Sequence, residues 1–383
     1  MSNTNSIFHI QNISNMKQYK VLGVCNGQGI GLFPFKGDKR FKILGNLEVR
    51  GVYFTPKNEQ WVDNFPGIPL FRDLNRCKNY LEGKKVHIIV SNPACGGQSI
   101  LRISRKKDFK STEEQKADPT MVNFIESVHH FKPHVFLLEN LPKLLEVIPE
   151  NQWENEIFPD YNLVFHNHSV SEWGNSQISR NRLVIIGVKK SSLLFKLEQF
   201  LFVKQMKALR TTQDLLFNLP KNGNIIEDLD KIVSMFHPDD KNKTKLSLKQ
   251  VQRLWTNEFR DEWKWPWVNS KGSRGTLPGV YRNKPNGYPM TARKADRQFK
   301  WNGLPMSPRE LARIMGIPDK FKIHIEEDRK NYWINKGRLI VTQTFPYEIG
   351  LWFKECLLNC IKLLIFPSSS LGFTLFILIL FPS

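Results

Sequence analysis

The stretch KVHIIVSNPACGGQSI, residues 85–100, runs from a strand-forming segment straight into a loop of small residues. Val86 to Val90 read as a short strand buried on both faces, because a continuous apolar run leaves no side for water. The loop after it carries Pro93, Cys95, Gly96, Gly97 and Ser99, which is turn chemistry. Strands that stop abruptly in such loops build parallel sheets, where ligands gather at the carboxyl ends. A cysteine at that spot is open to four readings: core residue, half of a disulfide, metal ligand or nucleophile.

Working outward, the same pattern recurs. YKVLGVCNG (19–27), KILGNLEV (42–49), HVFLLEN (134–140), YNLVFHNHSV (161–170) and RLVIIGVKK (182–190) read as further strands. DPTMVNFIESVHHF (118–131) has helical spacing of Met121, Ile125 and Val128, with a proline at its start. Strands alternating with helical segments predict an α/β fold, a doubly wound and mostly parallel sheet covered on both faces. Gly27, Glu48, Cys95 and Glu139 then fall at strand ends.

Bulk properties narrow the chemistry. The chain has 383 residues, 40% hydrophobic and 24% charged, a globular composition with room for two lobes. It holds 56 Lys and Arg against 36 Asp and Glu, a net charge of +20, which favours a polyanionic partner. Five scattered cysteines without a CxxC pair argue against a disulfide framework and against a structural zinc site. The pairs His129/His130 and His166/His168 lack companions at ligand spacing, so no metal is expected. The N-terminal segment has no long apolar core, and a reducing cytoplasmic or nucleoid-like (or nuclear) setting is expected rather than secretion.

Along the chain, 1–18 reads as an extension and 19–188 as the cofactor-binding unit. Residues 189–290 read as a smaller irregular lobe and 291–356 as a segment completing the first unit. Tryptophans 255, 263, 265 and 267 crowd the lobe, either as its core or as a nucleic-acid surface. SPRELARIMGIP (307–318) predicts a helix with Leu311, Ile314 and Met315 on one face. Residues 357–383 read as an apolar tail, dispensable after Glu355 and with membrane contact as the lesser expectation.

Two candidate sites emerge at the strand ends. In CNGQGIG (25–31), Gly27, Gly29 and Gly31 let the backbone approach a ligand. Glu48, at the next strand end, is placed to accept from both hydroxyls of a ribose, so the pair points to an adenosine-type cofactor. Asp73 is placed either to meet an adenine amino group or to cap a helix. The thiols of Cys25 and Cys77 themselves read as packing. Cys95, a soft nucleophile once ionised, and Glu139, a carboxyl leaving the apolar VFLL, make an enzyme-like pair.

The order of these elements resembles the DNA cytosine-5 methyltransferase family. CNGQGIG, Glu48, NPACGGQS (92–99), ENL (139–141) and SQISRNRLVIIG (176–187) follow one another as that family's motifs do. YPMTARKADRQF (288–299), SPRELARIMGIPDKF (307–321) and VTQTFPYEIG (341–350) resemble its later elements, so the likeness spans about 19–355. Three details depart from the family pattern: Ala94 before the cysteine, two residues between Gln177 and Arg180, and Thr342-Gln343 in the last motif. The loop also has a likeness to the Asn-Pro-Pro-aromatic loop of amino-group methyltransferases, but Cys95 cannot stack on a base.

The resemblance implies a Rossmann-like methyltransferase domain with a target-recognition lobe. It implies S-adenosylmethionine as cofactor, bound by Cys25, Gly27, Gly29, Gly31, Glu48, Asp73 and Pro93. Cys95 would attack C6 of a flipped-out cytosine in double-stranded DNA, Glu139 would hold the base, and Arg180 and Arg182 would hold its O2 or a phosphate. A monomer without an obligate protein partner is expected. An RNA (tRNA) cytosine-5 methyltransferase with the same site, or an inert DNA-binding homologue, are the alternatives. The target sequence and the biological role, restriction partner or viral protection, stay open.

Overall fold

The apolar runs form the strands that their composition predicts, in a computed structural model that describes residues 18–50, 59–94, 118–211, 214–215, 300–301, 304–305, 312–323 and 344–365; of 300–301, 304–305 and 362–365 only the backbone is described. The strands are β1 (Tyr19–Val24), β2 (Phe41–Leu47), β3 (Leu70–Phe71), β4 (Ile88–Ser91), β5 (Val135–Asn140), β6 (Tyr161–Ser169) and β7 (Asn181–Lys189). They form one sheet in the order β3-β2-β1-β4-β5-β7-β6. β1 pairs in parallel with both β2 and β4, and β4 with β5, so the chain reverses its direction of winding at β1. β7 alone runs against its neighbours β5 and β6. The predicted doubly wound, mostly parallel α/β sheet is the observed one.

Alternation along each strand sends side chains into two cores. One face gathers Val21, Val90, Leu137 and Val184 under Phe33, Phe65 and Trp352. The other gathers Leu22, Ile89, Leu138 and Ile185 under Phe124, Val128 and Trp153. α1 (Glu59–Asn64), α2 (Leu74–Tyr80) and α3 (Pro119–Phe131) are the helices that matter for the site. α3 starts where Asp118 caps it, accepting from the Thr120 N–H at 3.0 Å, with Pro119 in the first turn. Ile314 and Met315 are buried, as their spacing predicts, whereas Leu311 lies outside the described residues.

The end of the chain differs from the sequence reading. A single helix runs from Tyr347 to Ile365, straight through the expected start of the tail at 357. Leu357, Leu358, Cys360 and Ile361 are buried in the first core, together with Trp352 and Phe353. The apolar stretch begins as core helix because its first turns continue the buried face of Trp352 and Phe353. Among the described residues no helix is long and apolar enough to cross a membrane. The tryptophan cluster at 255–267 and the rest of the expected recognition lobe from 216 to 290 lie outside the described residues, as does Cys95.

Candidate active site

Where β1 ends, the backbone turns sharply. Cys25 takes φ +53°, followed by Gly27 at +56° and Gly29 at +85°. At Gly29 a Cβ would stand 2.5 Å from the Phe65 ring, so this turn accepts only glycine. Asn26 closes the loop by accepting from the Gly31 N–H at 3.0 Å, and Asn46 Nδ2 donates to the Gly27 carbonyl at 3.0 Å.

Glu48 follows the last residue of β2 and is fully buried. Its Oε2 accepts from the Gly27 N–H at 2.7 Å, which ties the glycine loop to the acid as the sequence spacing suggests. The remaining positions are taken by Arg50. Oε1 accepts from the Arg50 backbone N–H at 2.9 Å and from its Nε at 2.8 Å, and Oε2 accepts from Nη2 at 2.6 Å. Nη2 also donates to the Cys25 carbonyl oxygen. The guanidinium thus spans the ends of β1 and β2.

Two expected cofactor residues are engaged elsewhere. The Cys25 thiol points to the Thr120 carbonyl of α3 at 3.5 Å, and burial, with Glu48 nearby, pushes it far above its ordinary range. Only its backbone belongs to the loop. Asp73 caps α2: Oδ1 accepts from the Arg76 N–H at 2.8 Å and Oδ2 pairs with Arg76 Nε at 3.2 Å. Of the two readings of Asp73, the structure has the cap.

The second cluster lies at the ends of β4 and β5. Asn92 and Pro93 lead out of β4, and Asn140 Nδ2 donates to the Pro93 carbonyl at 3.4 Å. The Ala94 N–H donates to Thr120 Oγ1 at 2.8 Å, and that hydroxyl donates to Asp118 at 2.6 Å. The cap of α3 therefore holds the backbone immediately before Cys95. Glu139, 1% exposed, is bonded by Asn92 Nδ2 at one oxygen and paired with Arg182 Nε at 2.7 Å at the other. Burial pushes its carboxyl up to about 7, and the attraction of Arg182 and Arg180 only partly offsets this.

The two arginines separate. Arg182 faces Glu139 and is partly open to solvent. Arg180 is buried, with Nη1 on the Met315 sulfur at 3.0 Å and Nη2 on the Thr344 carbonyl at 3.4 Å. Gln177 bonds the Ile314 carbonyl at 3.2 Å and the Met315 sulfur at 3.2 Å. Gln177 and Arg180 thus bind the segments 312–323 and 344–350 to the strand that carries Arg182. Asn92, Thr120 and Arg50 are site residues that sequence reasoning missed. Thr120 was signalled by its place two residues after the capping Asp118.

The other thiols do not compete for chemistry. Cys77, Cys356 and Cys360 are buried, which pushes them up to about 12, about 12 and about 11. With Cys25, four of the five cysteines hold almost no thiolate near neutrality.

The model of the C-5 cytosine-specific DNA methylase family matches residues 63–334, well over half of the chain. The chain belongs to this family. No curated protein matches it in sequence. Among solved structures, an E. coli prophage-encoded protein assigned as a DNA modification methyltransferase is 18% identical with a TM-score of 0.59. That likeness covers 90% of this chain and 99% of the other. The Entamoeba histolytica methyltransferase EhMeth is 16% identical with a TM-score of 0.52, over 90% of this chain and 99% of its own. At these identities the structures establish the shared fold. Members of this methylase family use S-adenosylmethionine, and the donor set here fits its adenosine: a buried carboxylate beside a glycine backbone, at the point where the sheet reverses.

Proposed function

We propose that this methylase transfers the methyl group of S-adenosylmethionine to C5 of cytosine in DNA, with Cys95 as nucleophile. The observation that carries the reading is Glu139. It is a carboxyl that burial pushes up to about 7, bonded to Arg182 and to Asn92, which precedes Cys95 by three residues in the chain. A group in that state can donate to cytosine N3 and accept from the exocyclic amine, so it suits one face of this base.

C5 of cytosine is a poor carbon nucleophile. Addition of the Cys95 thiolate to C6 forms a C–S bond and moves the ring electrons toward N3, where the Glu139 proton is placed to neutralise them. C5 becomes an enamine carbon. The cofactor, when bound, would supply an electrophilic methyl group to C5 and be left as the neutral thioether S-adenosylhomocysteine. Loss of the C5 proton to solvent, cleavage of the C6–S bond and return of the N3 proton to Glu139 then restore the ring's aromaticity, the acid and the Cys95 thiolate. Arg182 steadies Glu139 and would hold O2 of the base or a neighbouring phosphate. Glu48 and the Gly27–Gly31 loop would hold the adenosine.

Such chemistry needs the base out of the stack, so the duplex must yield a flipped cytosine. The net charge of +20 supports binding to the phosphate backbone. Incubation with tritium-labelled S-adenosylmethionine and mixed-sequence duplex DNA tests the reading. Nucleoside analysis is expected to find the label in 5-methylcytosine. Label in N4-methylcytosine, or transfer to tRNA and not to DNA, would contradict it.

A further inference from the structure

A buried carboxylate must be satisfied by donors, and Glu48 is satisfied by the chain itself. Three of its four hydrogen bonds come from one residue, Arg50, through the backbone N–H, Nε and Nη2. The same guanidinium bonds the Cys25 carbonyl, so it bridges the ends of β1 and β2. The Arg50 side chain is 17% exposed and that of Glu48 is not exposed at all. Among the described residues, only the Gly27 N–H holds the acid independently of Arg50.

We infer that Arg50 is an intramolecular competitor of the cofactor: its guanidinium occupies the hydrogen-bonding positions on Glu48 that the ribose hydroxyls require, and it must leave for S-adenosylmethionine to bind. This rests on the reading of Glu48 as the ribose-binding acid. A ribose diol brings two donors to a carboxylate, and Arg50 already supplies two from its side chain. The two sets cannot be made at once. The cofactor also carries a sulfonium and an ammonium group, so a guanidinium left in the crevice would repel it. Binding competence then equals the fraction of molecules in which Arg50 has swung out, and the apparent dissociation constant rises by the inverse of that fraction. The arrangement sets cofactor affinity below what the pocket alone would give. It also keeps Glu48 paired in the ligand-free protein.

The test is calorimetric titration of S-adenosylmethionine into the full chain, its Arg50→Met and Arg50→Lys variants, and Glu48→Gln. Arg50→Met removes the donors while keeping an unbranched stem. It is expected to bind S-adenosylmethionine about tenfold or more tightly, in line with the loss of a competing charge-assisted bond. Its ligand-free thermal midpoint is expected to fall, because Glu48 loses its partner, while its midpoint shift on adding cofactor is expected to grow. Arg50→Lys is expected to lie between. If Arg50→Met binds no more tightly than the parent, the competitor role is overturned; weaker binding would make Arg50 a cofactor-holding residue instead. The underlying reading fails separately. In that case the parent shows no binding of S-adenosylmethionine, or Glu48→Gln binds it as well as the parent does. Should Arg50→Met fail to fold, Arg50→Lys alone decides, since a lysine cannot reproduce the two-pronged contact.

Discussion

Glu139 concentrates the chemistry of this site. Its carboxyl is raised to about 7 by burial, so it loses its proton as pH rises through neutrality. The neutral form is the one that donates to N3. Single-turnover methyl transfer is therefore expected to fall as pH rises above about 7, once Cys95 ionisation has been allowed for. Glu139→Gln keeps an N–H donor that does not titrate. It is expected to react at least 10²-fold more slowly, in the range for losing a general acid, and without that falling limb. A falling limb unchanged in Glu139→Gln would assign the ionisation to another group. At this scale the sequence was informative where chemistry coincides with a strand end. Glu139 stands out because a carboxyl directly after VFLL must be partnered or protonated. Asn92 does not stand out, because what makes it a site residue is a contact with Glu139 between strands that only the sheet order creates, and the bond of Arg50 to the Cys25 carbonyl is hidden in the same way. Asp73 was ambiguous for the opposite reason: a cap and a ligand contact ask for the same residue type.

The strands and helices carry their own consequences. In β5 and β7, Phe136 lies opposite Gly187, and a Cβ there would stand 2.2 Å from the ring. Gly187→Ala is expected to lower stability by about 1–3 kcal/mol through overpacking, measured by urea unfolding. At the opposite end of the sheet from the site, His87 and His134 stack with centroids 5.9 Å apart. His87 Nδ1 accepts from the Lys20 N–H at 2.8 Å, a bond that a protonated ring cannot make. Burial lowers both histidines to about 4, helped by each other for His87 and by Lys85 for both, with no acid among the groups that shift them. Their unfolded value is 6.5, so between 6.5 and about 4 the unfolded chain binds more protons than the folded one. Stability from this pair is full above 6.5 and is lost as pH falls toward about 4. His87→Gln and His134→Gln together are expected to flatten thermal midpoints across that window. The strands were legible because buried parallel strands are unbroken apolar runs. The reversed direction of β7 was not read, although its cause is visible: residues 170–180 hold no helix long enough for a parallel crossover.

For the molecule as a whole, the long helix decides where the catalytic unit ends. An apolar run with Lys362 as its one charge reads as a detachable tail, because nothing in its composition marks which residues face a core. The structure places Leu357, Leu358 and Ile361 inside. Burial of each contributes about 1.5–3 kcal/mol, so losing all three removes much of a typical domain stability of about 5–15 kcal/mol. A chain ending after Glu355 is therefore expected to lose its cooperative thermal transition, whereas one ending after Ile365 is expected to keep it. The central claim, that this methylase acts through a covalent adduct of Cys95, is tested most directly by trapping. Duplex DNA carrying 5-fluorocytosine in place of cytosine offers no removable proton at C5 after methyl transfer, so elimination of the thiol stalls. The parent protein is expected to form an adduct that survives denaturing electrophoresis, requires S-adenosylmethionine and maps to the peptide NPACGGQS. Cys95→Ser is expected to form none, while Cys25→Ser and Cys77→Ser, whose thiols are buried and hardly ionised, are expected to trap as the parent does. Trapping by Cys95→Ser at the parent level would contradict the account.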